Sequence, residues 1–253
     1  METVMSESSN TVRASKLALS AVLALLWCAT TGAGAALACD EANVRIATTP
    51  ALPTAPELAV DSQKRTANIP PKVDVMAIGD SITNGWPIDS LQSVFRGEKV
   101  YNFGIHGDHT QNVLWRLSRP EAGKVRPSTV TLLIGTNNLS TAMPACAIVA
   151  GTKAIIEKID ELWGRPKILF FGMLPRGDAF SFRNADRNAV NKSIEELLRA
   201  RGNALTINID NEISCGSKQP CANYASDNLH LSAAGYAVLQ SAAARAVAEA
   251  KRR

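Results

Sequence analysis

Aromatic residues, histidine and net charge are all scarce in this chain of 253 residues. Phe, Trp and Tyr make up 5% of it, His occurs three times, and the formal net charge is +4. No run of five or more Lys or Arg with interleaved aromatics occurs, so binding to nucleic acid is not expected. The content of 46% hydrophobic and 20% charged residues is ordinary for a soluble globular protein and can bury a full core.

The sequence also has no Cys-x-x-Cys pair, and its cysteines lie far from its histidines. Both facts argue against a zinc site. His106 and His109 form a His-x-x-His pattern that suggests metal, but a solvated or pocket-lining role is the favoured interpretation. We therefore expect no metal and no cofactor.

The N-terminus has the pattern of an export signal. Arg13 and Lys16 precede a nearly uncharged stretch over 17–38, which ends in the small-x-small pattern Ala36-Leu37-Ala38. We predict a signal peptide over 1–38 and a periplasmic or secreted protein. An uncleaved membrane anchor over the same residues, and lipidation of Cys39, are the alternatives.

Cleavage after Ala38 leaves four cysteines in a chain bound for an oxidising compartment. Cys215 and Cys221 flank a short polar segment, so we expect a disulfide between them, worth about 2 kcal/mol in the loop-entropy relation. The pairing of Cys39 and Cys146 stays open.

The remaining chain divides into a tether and one domain. Residues 39–72 are rich in Pro, Thr and Ala without a sustained apolar period, which predicts a tether. From residue 73 to residue 253, short apolar runs alternate with amphipathic stretches. The predicted strands are 73–79, 99–105, 130–135, 167–174 and 204–209; the predicted helices are 88–95, 110–117, 145–163, 184–201 and about 232–251. This alternation predicts an α/β domain with one doubly wound, five-stranded parallel sheet and helices on both faces.

Ser81 follows the first predicted strand, where Gly79-Asp80-Ser81 closes a buried apolar run. The carboxyl ends of parallel strands form the crevice in which such sheets bind ligands, so a hydroxyl there suits a nucleophile. The alternative is that Ser81 caps the next helix.

A serine needs a base, and the base needs a partner that fixes its tautomer. Asp227 and His230, three residues apart just before the last helix, can supply that pair. The attacked carbonyl also needs hydrogen-bond donors for its developing oxyanion. The Ser81 and Gly104 backbone N–H groups and the Asn137 side-chain amide, which follow successive strands, are the candidates.

These blocks occur in the order seen in the SGNH, or GDSL, hydrolases, and the chain resembles that family of esterases and lipases. The matching segments are Gly79-Asp80-Ser81-Ile82-Thr83, Gly104, Gly135-Thr136-Asn137-Asn138 and Asp227-x-x-His230. The resemblance implies Ser81 as nucleophile, His230 as base, Asp227 as its partner, and Ser81, Gly104 and Asn137 as the oxyanion hole.

Three further segments resemble the branch that contains the catalytic subunits of intracellular platelet-activating-factor acetylhydrolase. They are 102–108 (Asn-Phe-Gly-Ile-His-Gly-Asp), 113–117 (Val-Leu-Trp-Arg-Leu) and 174–177 (Leu-Pro-Arg-Gly). Two positions depart from the family: Asn138 stands where many members have Asp, and His106 stands where a small residue is common. The Gly-x-Ser-x-Gly pattern of the α/β-hydrolase fold is not met, because residue 83 is Thr.

The expected activity is hydrolysis of short-chain esters, chiefly acetyl esters, of carbohydrates or lipids. The expected partner is therefore a small-molecule, glycan or lipid ester, with membrane association through the N-terminus as an option and the oligomeric state open. Two alternatives remain: a non-catalytic module that binds an acylated glycan or lipid on the same fold, and an acyltransferase that uses the same three residues.

Overall fold

A single parallel sheet of five strands forms the centre of the fold. The computed structural model describes residues 39–252. The strands are β1 (Val75–Gly79), β2 (Val100–Asn102), β3 (Thr129–Leu133), β4 (Lys167–Phe171) and β5 (Ala204–Ile207). Their spatial order is β2-β1-β3-β4-β5, and every neighbouring pair is parallel. The predicted sheet is confirmed, with strands shorter than expected.

Helices fill the connections between the strands. They are α1 (Glu41–Thr48), α2 (Pro56–Ala67), α3 (Ser81–Asn84), α4 (Ile88–Val94), α5 (Thr110–Leu117), α6 (Thr136–Ser140), α7 (Ala145–Trp163), α8 (Asn184–Arg201), α9 (Asp210–Ile213) and α10 (Ala233–Ala250). Short 3-10 turns occur at Ala122–Lys124 and Asp178–Phe180.

Both faces of the sheet are buried. Met76 and Ile78 of β1 belong to an apolar core on one face, which includes residues of α5, α7 and α8. Val75 and Ala77 point to a second core on the other face, which includes residues of α4 and α10. Since successive side chains of a strand point to opposite faces, continuous apolar strands such as these need helices on both sides.

The connection from β1 leads to β2 on one side, whereas β3 lies on the other side of β1. The order of the strands therefore reverses at β1. In doubly wound sheets, ligands bind outside the carboxyl ends of the strands at such a point. The residues that follow Gly79 are placed at that point.

The segment predicted to be a tether has a different structure. Residues 39–68, which we call the N-terminal arm, contain α1 and α2 and pack against the domain. Ala47 of α1 is fully buried, and a disulfide joins Cys39 to Cys146 at the start of α7. The prediction failed because short helices depend on tertiary contacts rather than on their own apolar period, and because Pro56 starts a helix here.

The expected disulfide between Cys215 and Cys221 is present, as is the Cys39–Cys146 bond whose pairing was open. The predicted signal peptide lies outside the described residues. Within residues 39–252, no helix is both long and apolar enough to cross a bilayer.

Candidate active site

Ser81 is presented by a tight turn between β1 and α3. Asp80 is the N-cap of α3, and its Oδ1 accepts a hydrogen bond from the Ile82 N–H at 3.0 Å. A Cβ atom on Gly79 would lie 2.0 Å from Thr83 Oγ1 and 2.4 Å from the Leu133 carbonyl oxygen, so only glycine fits there. The turn thus fixes Ser81 as the first residue of α3, at the carboxyl end of β1.

Ser81, His230 and Asp227 form a continuous chain of hydrogen bonds. Ser81 Oγ lies 3.0 Å from His230 Nε2, and His230 Nδ1 lies 2.6 Å from Asp227 Oδ2. The structure therefore brings the three residues selected from the sequence together. An imidazole held in this way can take the serine proton, while the carboxylate steadies the charge that results.

The loop that carries the pair is ordered by its own backbone. Asp227 Oδ1 accepts hydrogen bonds from the N–H groups of Leu229 and His230, at 3.0 and 2.9 Å. Partial burial acts to raise the pKa of Asp227, but the His230 side chain and these two N–H groups lower it to about 2. The carboxylate is therefore charged at neutral pH and can hold Nδ1–H of His230.

Asn137 is in α6, which follows β3, the strand next to β1. Its Nδ2 donates to the Asp108 carbonyl oxygen at 2.8 Å. A side-chain amide has two N–H donors, so the second one is available for an oxyanion. Asn138, the first departure from the family pattern, is fully buried and accepts a hydrogen bond from the Thr110 N–H at 3.0 Å.

Gly104 does not fit its expected role as an oxyanion donor. Its N–H already donates to Asn102 Oδ1 at 3.0 Å. A Cβ atom at residue 104 would lie 2.5 Å from the Asn84 backbone nitrogen, so the glycine is explained by close packing against the end of α3.

Gly107, three residues later, is a candidate donor that was not predicted from the sequence. Its φ is +71°, in the left-handed region that favours glycine. Neither its N–H nor that of Ser81 makes a hydrogen bond within the described part of the chain. The sequence does show glycines in this polar loop. Both Gly104 and Gly107 fit that pattern, so it does not indicate which of the two N–H groups is free.

A buried ion pair lies close enough to Asp80, the residue before Ser81, for one of its charges to interact with that carboxyl group. Asp108 and Arg116 are both fully buried and form an ion pair, and Arg116 Nη2 also donates to the Phe103 carbonyl oxygen at 2.9 Å. Burial raises the pKa of Asp108 to about 6 against the lowering effect of Arg116. Arg116 of α5 therefore contacts both ends of the loop 103–108, which contains Gly107.

Asp80 is also fully buried, and its Oδ2 has no hydrogen-bond partner among residues 39–252. Burial raises the pKa of Asp80 to about 7, with a further increase from the charge of Asp108, while the Ile82 N–H and Arg176 act in the opposite direction. The residue next to the nucleophile is thus a carboxyl group that titrates near neutral pH.

The two other histidines face different surroundings. His109 lines a cavity beside the N-terminal arm, whereas His106 lines a second cavity together with Arg65 and Asn84. Burial lowers the pKa of His109, although hydrogen bonds with Gly107, Asn112 and Asn137 act to raise it. Within residues 39–252, no group of three or more His, Cys, Asp or Glu side chains could hold a metal ion.

Comparison with known proteins gives the family. The sequence model of the GDSL-like lipase/acylhydrolase family matches residues 77–238, from β1 to α10. The chain belongs to this family. As a member of it, the protein is a carboxylic ester hydrolase, and its substrate is a small-molecule ester.

Individual relatives agree with that assignment. The chain is 30% identical over 165 residues to the platelet-activating factor acetylhydrolase IB subunit alpha2 of Rattus norvegicus, covering 65% of this chain and 71% of that protein. The fold matches a GDSL-like lipase from Bacteroides thetaiotaomicron with a TM-score of 0.59 at 20% identity, covering 76% of this chain and 97% of that one. It also matches an acetylxylan esterase from Geobacillus stearothermophilus with a TM-score of 0.56 at 17% identity, covering 68% and 93%.

Proposed function

We propose that this hydrolase is a serine esterase that cleaves short-chain carboxylic esters, chiefly acetyl esters, of carbohydrates or lipids. The observation that carries the proposal is the hydrogen-bonded chain from Ser81 through His230 to Asp227. The acetyl preference is supported by the names of two similar proteins, an acetylhydrolase and an acetylxylan esterase.

In the proposed reaction, Ser81 Oγ attacks the acyl carbon while His230 Nε2 takes the hydroxyl proton. His230 returns that proton to the departing alkoxide, which leaves as the alcohol and gives an acyl-enzyme. Water, deprotonated by His230, then releases the acid and restores Ser81. Asp227 stays ionised and holds the imidazole throughout.

The developing oxyanion is assigned to three donors: the Ser81 N–H, the free N–H of the Asn137 amide, and the Gly107 N–H in place of that of Gly104. The first two are retained from the sequence analysis. Gly107 is preferred because its N–H is unpaired within residues 39–252, whereas the N–H of Gly104 is bonded to Asn102.

The test uses Ser81→Ala, with Ser241→Ala on the exposed face of α10 as the matched control. We expect Ser81→Ala to abolish hydrolysis of p-nitrophenyl acetate and labelling by a fluorophosphonate probe, and Ser241→Ala to retain both. Labelling that survives in Ser81→Ala would contradict the assignment. A wild-type protein that binds acetylated glycans but is never labelled would instead be a binding module, and transfer of the acyl group to an added alcohol faster than acid release would indicate an acyltransferase.

We also propose that the protein is exported. The two disulfides support this, because such bonds persist in oxidising compartments. N-terminal sequencing of the protein from its native host tests the proposal: a chain that starts at Cys39 is expected, and one that still starts at Met1 would contradict cleavage.

A further inference from the structure

A cavity of about 460 Å³ lies between the N-terminal arm and the rest of the domain. The arm contributes Ile46, Leu52 and Leu58, and the domain contributes Gly107, His109 and Met143. The family model begins at residue 77, so one wall of this cavity is built by a segment outside the matched region.

The cavity shares one residue, Gly107, with the proposed oxyanion site. Gly107 is in its lining, and the next residue, Asp108, accepts the hydrogen bond from Asn137. Leu58 of α2 lies directly over Gly107, because a Cβ atom at residue 107 would be 3.1 Å from Leu58 Cδ1. Gly107, whose N–H is a proposed oxyanion donor, and Leu58, which lies against it, therefore connect the cavity to the proposed oxyanion site.

The lining combines apolar side chains with polar ones such as Asn43, Gln111 and Thr141. None of its residues is Asp, Glu, Lys or Arg, and Ile46 in its wall is 52% exposed. A second cavity is different, because the residues of α2 that line it include Asp61, Lys64 and Arg65. Exposed apolar side chains in a lining without charged residues are suited to an uncharged, aliphatic ligand.

The wall formed by the arm is fixed in place. The Ala51 N–H donates to the Gln111 carbonyl oxygen at 3.1 Å, and Asn112 Nδ2 donates to the Ala51 carbonyl oxygen at 2.9 Å. With the Cys39–Cys146 disulfide, these bonds hold the arm before any substrate arrives. Preformed walls reduce the ordering cost of binding.

We infer that this cavity binds an uncharged aliphatic group of the ester substrate, so that the N-terminal arm sets the chain length the enzyme accepts. The inference rests on the proposed function, since the aliphatic group is part of the ester cleaved at Ser81. The group belongs either to the acyl chain or to the alcohol, and the same experiment distinguishes the two.

The experiment measures kcat/KM for two series of substrates. One series is p-nitrophenyl esters from acetate to octanoate; the other is acetate esters of linear alcohols from methanol to octanol. Ala55→Trp places an indole in the cavity, and Ala67→Trp is the matched control, because it adds the same group at the other end of α2 beside Trp115 and Arg119.

We expect Ala55→Trp to lower the ratio of longest to shortest substrate about tenfold or more in one series, while Ala67→Trp stays within about twofold of the wild type. The series affected identifies the acyl or the alcohol portion. Leu58→Ala widens the cavity and should raise the same ratio. It tests the inference if Ala55→Trp does not fold. Ratios unchanged in both series for the variants that fold would overturn the inference.

Failure of the proposed function is detected separately. Calorimetric binding of octanol to Ser81→Ala needs no turnover, and it should be lost when Ala55→Trp is added but kept with Ala67→Trp. Octanol binding that Ala55→Trp leaves unchanged would count against the cavity even if Ser81 proves to be the nucleophile.

Discussion

The two disulfides close loops of very different length, and this difference predicts unequal losses of stability. Cys39 and Cys146 are separated by 107 residues, whereas Cys215 and Cys221 are separated by 6. The loop-entropy relation assigns about 5 kcal/mol to the longer loop and about 2 kcal/mol to the shorter one. For a unit of the size of residues 39–253, these energies correspond to Tm losses of about 10 °C and about 5 °C.

Thermal unfolding of two double variants, Cys39→Ala/Cys146→Ala and Cys215→Ala/Cys221→Ala, tests this order by circular dichroism. The wild type without reductant is the reference, and hydrolysis of p-nitrophenyl acetate at 25 °C confirms that each variant is folded. A smaller Tm loss for the pair at residues 39 and 146 would refute the reasoning. It would mean that the unfolded arm is restrained without its disulfide, or that the shorter bond stabilises the native loop directly.

Three further predictions concern the active site. Asp227→Asn should lower kcat for p-nitrophenyl acetate by about 10⁴-fold with little change in KM, because the imidazole loses the partner of its Nδ1–H; retained kcat would contradict the role of Asp227. Asn137→Ala should lower kcat by about 10²- to 10³-fold through loss of one oxyanion donor, and an effect on KM alone would exclude that role. Asp80 has its pKa raised from 3.8 to about 7, so the native state holds the extra proton between these values and loses stability as the pH rises through them. Asp80→Asn keeps the oxygen that caps Ile82 but cannot ionise; its stability relative to wild type in urea unfolding should therefore rise from pH 4 to pH 7, and parallel curves would contradict the assignment.

The sheet and the hydrogen-bonded chain from Ser81 to Asp227 could be predicted because local patterns determine them. Apolar runs such as 73–79 have to be buried on both faces, and the glycine at the end of β1 marks the turn that presents Ser81. Asp227 and His230 are three residues apart, so their contact needs only a short loop. The alternative role of Ser81 as a helix cap also proved to belong to another residue, Asp80.

The structure of the arm and the proposed third oxyanion donor, Gly107, could not be predicted in this way. The helices α1 and α2 depend on contacts with residues far along the chain, such as the hydrogen bond from Thr110 Oγ1 to the Ala47 carbonyl oxygen at 2.9 Å. The N–H of Gly104 is already bonded to Asn102 Oδ1, whereas that of Gly107 is not. This difference depends on the position of the Asn102 side chain. A sequence shows that a loop needs glycine but does not show which backbone donor stays free.

Asp227 and His230 lie within one loop of four residues, whereas Ser81 lies in the turn that follows β1. The contact between Asp227 and His230 is therefore set within this loop, and the contact with Ser81 depends on where the fold places the loop as a whole. Four consecutive residues thus contain two of the three members of the proposed catalytic chain, and the rest of the fold has only to bring Ser81 to them.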